Sequence, residues 1–320
     1  MGQFFSAKYN RKPNDQNGLV LYYHPFNYYS QKVLFVLNEK NIPCTLQEID
    51  VNNGEQYSNW FIQMSPKIDV PVLQNETLIV PSSNQIINYL EVNFTNENHA
   101  ALLPTDNIGI QRKVIQFHRK ICQLPIGIIS VGSILHPYIV SDAKLPFVGP
   151  LRDGILQSEH SMLTKMEEYA EKNPLQRDTL LMRVKMQRIK YENIANIEEF
   201  QKLIDAVTDL LTEIENELQI QFDQSNEWLC CNEFTIADIS LGMFLHRLSL
   251  LGLENHFWTD GSRPFLSKYY RRIKSRKTFQ QSLPKMKSTI TFAWYKLPQI
   301  YTISTICLAS VIFGYIIFKM

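Results

Sequence analysis

Hydrophobic positions along this chain keep two different periods, and the change from one to the other divides it. Residues 19 to 25, LVLYYHP, form an apolar run closed by proline, the pattern of a buried strand. Ser30 is placed to cap a helix through Glu39 that carries Val33, Leu34 and Leu37 on one face. Thr45 to Val51 alternates as a second strand, and Tyr57 to Met64 reads as a short helix stopped by Pro66. Val70 to Leu73 and Thr77 to Val80 are brief strands joined at Gln74-Asn75-Glu76, and Ser82 or Ser83 then caps a helix through Ile86, Ile87, Leu90 and Phe94. The order β-α-β-α-β-β-α with a closing hairpin predicts a mixed sheet over residues 18–95.

Residues 95 to 107 are polar, contain Pro104 and read as a linker. From there on the spacing is helical, and an all-helical region is predicted over 105–283. One helix covers about 107 to 122, with Pro125 marking a break, and another runs from about 151 to 172 before Pro174. A third places Ile204, Val207, Leu211, Ile214 and Leu218 on one stripe, as a core helix does. The clearest start is Phe234-Thr235-Ile236-Ala237-Asp238-Ile239. There Thr235 and Asp238 form a capping box, with Phe234 and Ile239 as its hydrophobic staple.

The last stretch breaks both patterns. Residues 297–318 contain no charged residue and have the length of a membrane-crossing helix. A single C-terminal span is expected there, with the body of the protein facing the cytosol. Residues 284–296 mix basic and apolar residues, as an interfacial segment or a plain linker would. Residues 1–17 read as a disordered tail whose Gly2 and Ser6 match the myristoylation pattern.

Composition narrows the chemistry. The chain of 320 residues is 45% hydrophobic and 20% charged with a net charge of +1, so no overall field points to nucleic acid. Its five cysteines, Cys44, Cys122, Cys230, Cys231 and Cys307, are few and without metal-ligand spacing. They read as packing residues in a reducing compartment, and no metal site is expected. His246, on an apolar helix, reads as a structural residue.

Several separated motifs resemble the cytosolic glutathione transferases. Ser65-Pro66-Lys67-Ile68-Asp69-Val70-Pro71 is similar to that family's Asn-Pro-x-Gly-x-Val-Pro, and Ser82-Ser83-x-x-Ile86-x-x-Tyr89-Leu90 to its Glu-Ser-x-x-Ile-x-x-Tyr-Leu. The capping box at 234–239 resembles its folding box. An insertion at about 140–200, a basic stretch at 175–190 and the C-terminal span resemble the ganglioside-induced differentiation-associated protein 1 family. The phrases YSQKV (29–33), ILHP (134–137), WLC (228–230) and LHRL (245–248) resemble it too. The resemblance implies a thioredoxin-like α/β N-terminal domain followed by an all-α C-terminal domain. It also implies an anchor in the mitochondrial outer membrane, with a share on peroxisomes, and a part in organelle fission and redox balance.

The same resemblance assigns sites. Val70 before Pro71, and the Ser82–Ser83 pair, are the glutathione-binding candidates, with serine standing at 82 where the family has an acid. The activating hydroxyl falls at Asn27, with Tyr28, Tyr29 and Ser30 as nearby substitutes. Weak or absent transferase activity is therefore expected. The three readings are a membrane-held adaptor, a glutathione sensor, and an active transferase conjugating lipid-derived electrophiles. Arg183, Lys185 and Arg188 are candidate contacts for fission machinery, cytoskeletal proteins or anionic lipid. Any homodimer is expected to have a non-standard geometry, because the insertion alters the usual pairing surface.

Overall fold

The computed structural model describes residues 18–96 and 99–296; the tail with Gly2 and the apolar run 297–318 lie outside the described residues. Among the described residues, no helix is long and apolar enough to cross a membrane.

Four strands form one mixed sheet in the order β2-β1-β3-β4: β1 Leu19–Tyr23, β2 Thr45–Glu48, β3 Val72–Asn75 and β4 Leu78–Pro81. β1 runs parallel to β2, with Val20 opposite Thr45, and antiparallel to β3, with Leu21 opposite Leu73. Alternation along β1 sends Leu19 and Leu21 into the main core and Val20 and Tyr22 into a second cluster with Phe61, Met64 and Val72. Helices α1 (Tyr28–Glu39) and α3 (Ser83–Asn93) cover the first face, and α2 (Asn59–Met64) the second.

Local starts differ from the sequence reading in three places. Asn27, not Ser30, caps α1: its Oδ1 accepts from the Ser30 N–H at 2.9 Å. Ser30 lies inside the first turn, fully buried, where its hydroxyl accepts from the His24 N–H at 3.3 Å. Neither Ser82 nor Ser83 caps α3 through its side chain. Ser82 occupies the cap position at φ +82° without a cap bond. The Tyr57–Met64 reading resolves into a 3-10 turn, Glu55–Tyr57, followed by α2.

The helical half contains α4 (Ile108–Gln123), α5 (Ile126–Leu135), α6 (Gly149–Lys172), α7 (Arg177–Ala195), α8 (Ile197–Asp223) and α9 (Ile236–Leu250), then α10 (Glu254–Phe257), α11 (Pro264–Ser275), α12 (Lys277–Gln281) and α13 (Met286–Lys296). α9 is buried along most of its length. Its box forms as expected: the Thr235 N–H and hydroxyl each donate to the buried Asp238 carboxylate at 2.8 Å. The Leu229 N–H donates to the same carboxylate at 2.9 Å and the Tyr269 hydroxyl at 2.8 Å. α13, where an interfacial segment or linker was expected, is a helix docked through Phe292, whose ring lies 4.5 Å from that of Phe26. Met286, Ile290 and Trp294 remain exposed on it.

The insertion becomes a helical pair, α6 and α7, that leans on the α/β half. Met166, Ala170, Leu180 and Val184 pack around Tyr57, Ile62 and Ile68 in a separate apolar cluster. Ile68 explains a departure from the resembled motif, which has glycine there. Its φ of +58° is left-handed and costs a β-branched residue about 1–2 kcal/mol. Burial of its side chain among the inserted helices offsets that cost.

Candidate functional site

A cleft of about 720 Å³ lies between the α/β half and α4–α7. The α/β half supplies one wall through the end of α1's loop, the Val70–Pro71 edge and the start of α3. The Val70–Pro71 peptide is cis. Both residues line the cleft, and the Val70 N–H and C=O have no hydrogen-bond partner among the described residues. An extended peptide could pair with that edge as an added strand does. Ser82 and Ser83 line the cleft beside it. No side chain caps the N–H groups of α3's first turn, and unsatisfied N–H groups at a helix start favour a carboxylate. A strained φ at Ser82, in a region that costs of order 1–3 kcal/mol, is the kind of backbone that persists at ligand clamps. Such groups can hold the backbone and a carboxylate of a short peptide.

The candidates for thiol activation separate. Asn27 lines the cleft with its oxygen committed to the helix cap. Ser30 is buried behind the first turn and cannot reach a ligand. Tyr28 is buried outside the lining, with its hydroxyl unpartnered among the described residues. Of the four candidates, Tyr29 alone brings a phenol to the cleft, half-buried and edge-on to Tyr28 at 5.1 Å. Burial pushes the Tyr29 hydroxyl above its usual value, with nearby acidic groups adding, so it holds its proton at neutral pH. It can donate to a thiolate but does not act as a base.

The opposite wall comes from α4 to α7 and is mixed in charge. Glu159, Arg183, Gln187 and Lys190 line it together with Cys122. Arg183 pairs across the cleft edge with Asp69, tying α7 to the cis-proline segment. Burial holds the Lys190 ammonium below its usual value, opposed by Glu159 and reinforced by Arg183.

The three basic candidates of α7 do not form one free surface. Arg183 is bound to Asp69 and Arg188 to Glu167, while Lys185 is exposed. The apolar face of the same pair is also partly exposed, at Leu175, Met182, Met186 and Ile189. His246 is half-buried, with a ring nitrogen 3.4 Å from the Tyr270 hydroxyl. Burial, reinforced by Arg247, Lys144 and Lys274, lowers its imidazole to about 3.

Cys122, expected among the packing residues, has polar neighbours. It is half-buried and faces the cleft, with Sγ 3.1 Å from the Lys32 Nζ and 3.8 Å from both ring nitrogens of His118. The spacing His118-x-x-x-Cys122 puts both on one face of α4, the one signal the sequence offered. Among the described residues, no group of His, Cys, Asp and Glu is arranged to hold a metal ion.

Comparison with known proteins gives the family and the fold. Residues 21–98 match the glutathione S-transferase N-terminal domain family, and residues 194–272 match the glutathione S-transferase C-terminal domain family. Residues 99–193, which contain Cys122 and most of the second wall, fall between the two matches. The human ganglioside-induced differentiation-associated protein 1-like 1 is 30% identical over 87% of this chain and 77% of its own. Among solved structures, beta-etherase LigF from Sphingobium sp. strain SYK-6 is 20% identical, with a TM-score of 0.62 over 82% of this chain and 98% of its own. Ure2p in complex with glutathione is 17% identical, with a TM-score of 0.58 over 85% of this chain and 100% of its own.

Proposed function

This chain belongs to the ganglioside-induced differentiation-associated protein 1 family and has the glutathione transferase fold, and from that premise we propose that it is a glutathione-responsive adaptor. It binds a glutathione-class peptide in the cleft without efficient transfer to electrophiles. One observation carries this reading. The unpaired Val70 edge and the uncapped start of α3 meet in one cleft, while Ser30 and Tyr28 are withdrawn from it and Ser82 replaces the acid. Losing that acid weakens a charge-assisted contact by about 1.5–3 kcal/mol, roughly tenfold to a hundredfold in affinity.

Tyr29 favours a second reading, an active transferase in which its phenol hydrogen-bonds the thiolate of glutathione. Titrating the full chain in detergent with glutathione, beside an assay with a chlorodinitrobenzene electrophile, separates the two. Saturable heat with negligible turnover supports the adaptor. Turnover that is lost in Tyr29→Phe supports the transferase, and neither heat nor turnover rejects glutathione as the ligand.

The adaptor sits on the mitochondrial outer membrane, and in part on peroxisomes, with its body in the cytosol and residues 297–318 as anchor. It couples glutathione status to fission machinery or cytoskeletal proteins there. The uncharged length of 297–318 supports the anchor, and the family supports the address. Imaging fluorescent fusions with and without residues 297–320 tests both. Diffuse fluorescence from the full chain contradicts them. Lys185 is the free member of the basic trio for partner contact, and Gly2 a candidate second attachment.

A further inference from the structure

Two lysines of the α/β half are fully buried, and their surroundings differ. Lys40, 0% exposed, has the Glu91 carboxylate at 2.9 Å together with the Thr95 hydroxyl at 3.0 Å and the Ala100 carbonyl at 2.6 Å. Lys32, 1% exposed, has only the Asn84 amide oxygen at 2.8 Å and the Cys122 sulfur at 3.1 Å. No carboxylate pairs with it among the described residues. A buried ammonium without an anion is costly, so the fold favours charge on the one partner able to ionise. Burial alone would push the Cys122 thiol up. The hydrogen bond and charge of His118 and the charge and hydrogen bond of Lys32 outweigh it, bringing the thiol down to about 6. His118 is oriented by a 2.8 Å contact with Ser240. Cys44 and Cys230 lack such partners: burial pushes the Cys44 thiol up to about 12, and burial with the nearby Asp238 charge raises the Cys230 thiol.

The same cluster sits next to the peptide-binding features. Asn84 follows Ser83 at the start of α3, so two hydrogen bonds separate that helix start from the Cys122 sulfur. We propose that Cys122 is a thiol–disulfide exchange site that takes a glutathione-class disulfide from the cleft and becomes glutathionylated. The Cys122 thiolate attacks one sulfur of the disulfide. The disulfide's S–S bond breaks, a Cys122–glutathione S–S bond forms, and glutathione thiolate leaves and takes a proton from water. No other electron acceptor is needed. Among the described residues no second cysteine lines the cleft, so the product rests at the mixed disulfide until a free glutathione thiolate reverses the step. Lys32 positions and stabilises the thiolate without touching the ligand.

The inference rests on the glutathione reading of the cleft, and its test separates the two. The full chain in detergent is incubated with glutathione disulfide or with hydroxyethyl disulfide, and adducts are mapped by mass spectrometry across pH. The charged and titratable groups facing Cys122 are Lys32, Tyr28 and Tyr29 from α1 and His118 from α4; Ser240 and Asn84 are uncharged. At pH 7 an ordinary cysteine, less ionised but more nucleophilic, should be only about fourfold slower, so the pH midpoint is the sharper readout. The expected result is a Cys122 adduct that forms many-fold faster with glutathione disulfide, with a midpoint near 6. Lys32→Met, its fold checked by thermal unfolding, should move that midpoint toward 9, and Cys122→Ser should abolish the adduct. Equal rates with the two disulfides overturn both this inference and the glutathione reading. Saturable glutathione binding with Cys122 unmodified, or with the adduct on Cys44, overturns this inference alone.

Discussion

The two walls of the cleft differ in origin. The α/β wall combines a cis-proline edge, an uncapped helix start and a strained residue at 82, all inside the matched N-terminal domain. The helical wall is made from residues 99–193, which neither domain match covers, and it brings ionisable side chains: Cys122, Glu159, Arg183 and Lys190. The first wall offers backbone groups that recognise a peptide. The second offers charge and a nucleophile. A transferase-like surface can thus keep recognition while its reactive group moves across the cleft.

The largest effect that sharpens this contrast is on pH-dependent stability. The depressed Cys122 value belongs to the folded state. Its contribution is therefore present above the unfolded-chain value of 9.0 and lost as pH falls through about 6. Native protein minus Cys122→Ser should gain about 2–4 kcal/mol between those limits in denaturant titrations, after allowance for partial exposure. A flat difference would deny the thiolate. Next is the joint between the walls. Ile68→Gly relieves the left-handed backbone but removes a buried side chain, and should lower stability by about 1–3 kcal/mol, read from urea unfolding. An unchanged midpoint would mean that the α6–α7 pair does not lean on Ile68.

Binding should respond at the first wall. Ser82→Glu restores an acid at the resembled position and should tighten glutathione about tenfold to a hundredfold by calorimetry. No change would show that the ammonium end of the peptide lies elsewhere. The smallest effect is at the rim. Lys185→Glu touches no internal ion pair and should leave stability within about 0.5 kcal/mol while disturbing organelle shape, whereas Arg183→Glu also sets like charges beside Asp69.

The first wall was legible in the sequence because its signals are local. Strand alternation and Val70-Pro71 each lie within a few residues and carry their own geometry, as the Thr235–Asp238 box does in the helical half. The Ser30 cap failed because Asn27, an equally good capping residue, lies one turn earlier, and the choice between them depends on where the loop ends. The second wall was not legible. Lys32 and Cys122 are 90 residues apart, and nothing in either segment's pattern says that they meet. The basic run of α7 looked like a uniform face because its acidic partners, Asp69 and Glu167, lie on other elements.

Both walls serve one ligand in this account, and a protection experiment tests that most directly. S-methylglutathione can occupy the cleft but cannot exchange with a thiolate. With it bound, alkylation of Cys122 by iodoacetamide in the full chain should slow many-fold while alkylation of Cys44 stays unchanged. Cys122 alkylation that is indifferent to saturating S-methylglutathione would contradict the account.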